Sequence, residues 1–165
     1  MKFNKTIGIL IILILTLSGI FIYFNKNTKP SNSYKNDSLG FEIIMPKDYS
    51  VLSEDYNVRL FSEGGPIGDT VVFNSSDNKK IVLSHISSFR GELLEYFEEA
   101  HKGDQVLKND IEKISNNAII VSHSLGKILV FTPNDSSEYF EIRAGRQIED
   151  NATILKYMLK SFKKY

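Results

Sequence analysis

The stretch Ala118–Ala144, AIIVSHSLGKILVFTPNDSSEYFEIRA, decides the fold. It contains three apolar, β-branched or aromatic runs, Ala118 to Leu125, Lys127 to Thr132 and Glu138 to Ala144, broken at Gly126 and at Pro133 to Ser137. Short apolar runs with such punctuation read as strands, and connections this short join antiparallel neighbours. Ile111 to Ile114 lies just upstream, beyond the turn residues Asn116 and Asn117, so the spacing predicts a four-stranded meander.

Working outward, the pattern changes between Glu92 and His101, where Leu93, Leu94, Phe97 and Ala100 recur at helical spacing. This is an amphipathic helix with Glu92, Glu95, Glu98 and Glu99 on its outer side, stopped by Gly103. Before it, Leu39 to Met45 forms a strand closed by Pro46, which has no N–H to continue a ladder. Val51 to Ser53 and Val58 to Ser62 are two further short strands, followed by a loop containing Gly64, Gly65 and Gly68. Thr70 to Phe73 and Ile81 to Ser87 flank the polar turn Asn74 to Lys80 and read as a hairpin. At the C-terminus Ile154, Leu155, Met158, Leu159 and Phe162 mark a second helix, with Lys156, Lys160, Lys163 and Lys164 toward the end where positive charge suits the helix dipole. Strands, helix, strands, helix, without regular βαβ alternation, gives an α+β domain: a mainly antiparallel β-sheet with helices packed against it.

The chain has 165 residues, enough for one domain. Thr6 to Phe24 is free of charge and predominantly apolar. As a helix rising about 1.5 Å per residue, this block reaches roughly 28 Å, the thickness of a bilayer hydrocarbon core. The expected organisation is a cytoplasmic leader (1–5), an N-terminal transmembrane helix acting as signal anchor (6–24), a linker (25–33) and an extracytoplasmic domain (34–165). A cleaved secretory signal is the competing reading, but its apolar region is usually shorter, and Thr16, Leu17 and Ser18 make a poor cleavage site followed by more apolar residues. A buried core helix is the third, disfavoured by the lack of charge on any face. Lysines flank both ends of the span, so orientation rests on the short leader and the long following domain.

Twenty basic residues balance twenty acidic ones. Lys2, Lys5, Lys26 and Lys29 precede residue 34 and no acid does, so the domain carries 16 − 20 = −4. It lacks the basic field that phosphate-backbone binding requires, which argues against a nucleic-acid partner. With no cysteine, disulfides, thiolate metal sites and thiol nucleophiles are excluded.

Tyr34, then Leu39, Gly40 and Phe41, then Pro46 and Tyr49, resemble the opening of PsbP-like domains. Leu129, Val130 and Phe131 followed by a turn and an alternating strand, with Ile154, Leu155, Ser161, Phe162 and Lys163 in the last helix, are similar to that family's ending. The resemblance spans nearly all of residues 34–165. It implies an antiparallel sheet sandwiched by helices, often exported or membrane-tethered in bacteria, and a non-catalytic accessory or binding role. No functional residue carries over, because the matching positions are structural.

Several constellations bear on chemistry. Ser122, His123, Ser124, Leu125 and Gly126 imitate a hydrolase nucleophile elbow, but no histidine follows Ser124 and a strand pattern stands where a helix is required. A hairpin with Gly126 in its turn accounts for the same residues. His85, His101 and His123 lack paired metal-ligand spacing, although His85 and His123 lie on strands that can approach across a sheet. Neither Asp104 to Glu112 nor Asn134 to Glu141 has the alternating oxygen ligands and central glycine of a calcium loop. Gly64, Gly65 and Gly68 lack the Lys-Ser or Lys-Thr of a phosphate loop and suit a turn. The acidic helix face suits solvent or a basic partner.

No catalytic, cofactor-binding or metal residue is assigned, and no cofactor is expected. The expected function is a membrane-anchored extracytoplasmic accessory or binding protein without catalytic activity, with a possible envelope protein as partner. The alternatives are an envelope enzyme of hydrolase type, whose pocket would gather His85, His123 and a carboxylate, and a small-ligand sensor with a mostly apolar cavity.

Overall fold

The structure, a computed structural model, describes residues 32–60, 66–88, 90–101, 106–123, 126–133 and 137–165, with the side chains of 106–110 and 123 excepted. The expected leader, the transmembrane anchor and the linker up to residue 31 lie outside the described residues, as do Gly64, Gly65, Gly103, Ser124 and Leu125. Among the described residues no helix is long and apolar enough to cross a membrane.

Among the described residues ten strands and two helices follow one another: β1 (Asn32–Asn36), β2 (Phe41–Met45), β3 (Tyr49–Arg59), β4 (Ile67–Ser75), β5 (Lys80–Ile86), α1 (Leu93–Ala100), β6 (Val106–Ser115), β7 (Ala118–His123), β8 (Gly126–Phe131), β9 (Tyr139–Gly145), α2 (Asn151–Ser161) and β10 (Lys163–Lys164). They form a three-stranded sheet in the order β1-β2-β10 and a seven-stranded sheet in the order β3-β4-β5-β9-β8-β7-β6. Every pairing is antiparallel. The expected meander is β6 to β9, and a second meander, β3 to β5, joins it through β5 and β9. The architecture is thus mostly antiparallel sheet with two helices, as the α+β reading requires.

Side chains alternate across a strand, so each central strand of the large sheet feeds two cores. Phe73, Leu83, Ile120, Leu129, Phe140 and Ile142 face one core, which Phe41 and Ile43 of β2 and Leu155 and Met158 of α2 close. Ile119, Val121, Ile128, Val130 and Tyr139 face the other, covered by Leu93 and Phe97 of α1. The large sheet therefore lies between the small sheet with α2 on one side and α1 on the other.

Three elements depart from the sequence reading. The two short strands around Val51 and Val58 are one strand, β3, whose register shifts between Val51 and Ser53 and between Asp55 and Val58. As an edge strand with most residues exposed it has little need of apolar alternation, and Asn57 takes a positive φ of 54° there while its N–H donates to Asp69 Oδ1 at 3.0 Å. β1 is polar and opens at Asn32, inside the span read as linker; Asn32 Nδ2 donates to the Lys47 carbonyl at 2.9 Å, and Tyr34 packs edge-on against Phe73. The last helix stops at Ser161, whose hydroxyl donates to the Met158 carbonyl at 2.8 Å and accepts the Ile44 N–H at 3.0 Å. Lys163 and Lys164 consequently leave the helix and pair with Glu42 and Phe41 of β2.

Gly68 belongs to β4 rather than to a turn, and a Cβ there would stand 2.2 Å from the His85 carbonyl oxygen and 2.7 Å from Leu60 Cδ1. Gly68→Ala is expected to cost about 1–3 kcal/mol, because strand backbone must shift to admit the methyl. A urea midpoint equal to the parent's would show that β4 and β5 separate freely at this point.

Candidate functional site

The α1-bearing face of the large sheet is built by register. Thr70 pairs with Ser84 and Ser84 with Glu141, while Val72 pairs with Val82 and Val82 with Arg143. Alternation along β9 puts Tyr139, Glu141 and Arg143 on this face and Phe140, Ile142 and Ala144 on the other. Helix α1 covers the apolar half formed by β7 and β8. Over β3, β4, β5 and β9 the face remains a groove of ≈ 260 Å³ lined by Arg59, Thr70, Val82, Ser84, Glu141 and Arg143, among others.

At the floor of the groove Glu141 is 2% exposed and accepts a hydrogen bond from the Tyr139 hydroxyl. His101 Nε2 lies 2.8 Å from Glu141 Oε1, so an Nε2-protonated ring donates to the same oxygen. Burial, then the adjacent Glu141 charge, pushes the Tyr139 phenol well above its usual pKa. His101 and Tyr139 are themselves buried, and the histidine ring stacks obliquely on Phe97 with centroids 4.5 Å apart. A general base must reach its substrate. This trio instead ties the end of α1 to β9.

On the opposite face His85 is buried between two carboxylates. Its Nδ1 is 3.0 Å from Asp69 Oδ2 and its Nε2 is 3.3 Å from Glu138 Oε1. The second approach is close enough for an ion pair but is not aligned as a hydrogen bond, which leaves Nε2 without a hydrogen-bond partner among the described residues. Glu138 also receives Lys164 Nζ at 2.7 Å, and His85 leans on Phe140 at 4.7 Å between centroids. The group links β4, β5 and β10 across the join between the two sheets.

The histidines are not brought together. His85 and His101 serve opposite faces, and β7, which carries His123, stands three strand spacings from β5, roughly 14 Å. The strand that carries His123 is thus no neighbour of the strand that carries His85, and the His123 side chain of the enzyme reading's pocket lies outside the described residues. Among the described residues no group of three His, Asp or Glu side chains is arranged to hold a metal. Ser122 and His123 end β7, Gly126 opens β8, and His123 pairs directly with Gly126, so the elbow-like sequence is a hairpin. Gly126 has φ of 142°, and a Cβ there would meet the Ala144 carbonyl oxygen at 2.1 Å. The acidic residues Glu92, at the N-cap of α1, and Glu95, Glu98 and Glu99 on it are exposed as expected. A second, wider hollow of ≈ 650 Å³ lies where Phe162 and Lys163 approach Thr132 and Ser115. Its Lys164 ammonium is already engaged by Glu138 and the Leu39 carbonyl.

The Tyr139–Glu141–His101 trio escaped the sequence reading. Its signal was present in Tyr139, Glu141 and Arg143, three residues with polar ends on one face of a strand whose other face is wholly apolar.

A seven-stranded antiparallel sheet held between a small sheet with a C-terminal helix and a second helix is a PsbP-like fold. The structure is similar to the solution structure of cyanobacterial PsbP (CyanoP) from Synechocystis sp. PCC 6803, with a TM-score of 0.50 and 13% sequence identity, covering 84% of this chain and 95% of that one. No family model and no curated protein matches the sequence.

Proposed function

We propose that this chain is an accessory or binding protein without catalytic activity, held at the outer face of a membrane by residues 6–24 with its PsbP-like domain extracytoplasmic. The observation that carries the reading is the likeness in fold to cyanobacterial PsbP. Burial of His85 and His101 within clamps between elements supports it, since these side chains are engaged in holding the fold together. The charge-free block Thr6–Phe24 supports the anchor.

Crosslinking followed by pull-down of the full-length chain from the membranes of its own host tests this, against a control carrying residues 1–33 alone. One envelope protein is expected with the full chain and not with the control. Recovery of the same set with both would overturn the binding role, and loss of the chain from the membrane fraction would overturn the anchor.

A further inference from the structure

We propose that the groove beside α1 binds a small oxyanion, a carboxylate or phosphate on a compact molecule, with the Arg143 guanidinium as anchor and the Ser84 hydroxyl as second donor. The site needs neither the membrane anchor nor a protein partner, so it stands apart from the accessory role.

Arg143 is half-buried on the sheet face and makes no hydrogen bond or ion pair among the described residues. Glu141, the carboxylate two residues away on the same face, is occupied by His101 and Tyr139. A guanidinium partly withdrawn from water without a counter-ion is costly, and its planar fork of donors matches the paired oxygens of a carboxylate or phosphate. The field of Arg143 is felt nearby, since it opposes the upward shift of the Tyr139 phenol.

Ser84 supplies the second, independent observation. Its residue is 7% exposed, it lines the same groove, and its hydroxyl has no hydrogen-bond partner among the described residues. The hydroxyl therefore opens onto the groove, where it is free to donate to a ligand oxygen. Thr70, its neighbour in register, spends its proton on the Leu83 carbonyl at 3.2 Å. Donors to an anion are therefore Arg143 and Ser84. The volume, ≈ 260 Å³, falls just below the range of roughly 300–1,000 Å³ usual for drug-sized ligands, which favours a compact molecule over a polymer segment.

The test follows the arginine side-chain N–H signals of the full-length chain by NMR during titration with succinate, inorganic phosphate and, as a neutral control, succinamide. A saturable shift of the Arg143 signal is expected with at least one anion and not with succinamide; the anion that saturates first tells carboxylate from phosphate. Binding followed through the Ser84 amide should weaken about tenfold or more in Arg143→Gln, and about two- to tenfold in Ser84→Ala followed at Arg143, with the remaining amide spectrum unchanged. Three results would each overturn the site: saturation by neither anion, equal binding of succinamide, or unchanged affinity in Arg143→Gln.

Discussion

His101→Leu is expected to destabilise the domain by about 3–5 kcal/mol, read as a large fall in the urea midpoint. The substitution keeps the apolar contact with Phe97 but removes the group 2.8 Å from Glu141 Oε1, in a place where Glu141 is 2% exposed and cannot turn to water. A buried acid that loses one of two partners bears a desolvation cost that the folded state must absorb. Helix α1 has only eight residues and no side-chain hydrogen bond at its N-cap. So short a helix depends on tertiary contacts, and His101 supplies one at its C-terminal end. Removing the three polar ends together, in His101→Leu with Glu141→Leu and Tyr139→Phe, should recover much of the loss, because no buried carboxylate is then stranded. A single substitution costing less than about 1 kcal/mol, within the range of ordinary surface changes, would mean that the trio does not hold α1 to the sheet.

The legibility of this fold in its sequence follows burial. β7 and β8 are covered on both faces and β9 is wholly buried on one, and their apolar runs bounded by Gly126 and Pro133 announced them. β1 and β3 are edge strands of their sheets, with mostly exposed residues, so their sequences carry no periodicity to detect. Helix α1 was legible because its spacing separates Leu93 and Phe97 from an acidic exterior. The end of α2 was not: Phe162 continues the helical spacing of Leu155 and Met158, yet its backbone is extended, with φ of −65° and ψ of 129°, and feeds β10. What diverts it is the Ser161 hydroxyl bond to Ile44, a contact across 117 positions that no local pattern encodes. The groove failed to show for a related reason. It is assembled from β3, β4, β5 and β9, and only the pairing register puts Ser84 beside Glu141 and Val82 beside Arg143.

Phe140→Ala is expected to cost about 3–5 kcal/mol, a loss comparable to the whole stability of a marginal domain. Phe140 is fully buried on the face opposite the groove, where four rings from different elements meet it. Phe41 of β2 approaches edge-on at 5.7 Å, Phe131 of β8 stacks at 5.4 Å, Phe162 after α2 meets it at 5.0 Å, and His85 of β5 lies at 4.7 Å. The ring therefore fills the space between the two sheets and the C-terminal segment, and its deletion leaves a cavity whose walls are fixed by separate backbones. Phe140→Leu, which keeps most of the volume, should cost clearly less, and comparing the two by urea denaturation isolates the cavity from the aromatic contacts. Because the large sheet separates this core from the groove, Phe140→Ala in the absence of denaturant should lower stability while leaving the Arg143 signal's response to succinate or phosphate in place. His101→Leu disturbs the floor of the groove itself and should alter both. A loss below about 2 kcal/mol in Phe140→Ala would mean that the small sheet and the C-terminal strand are held to the large sheet mainly by other contacts, such as the Lys164–Glu138 ion pair and the backbone pairing of β10 with β2.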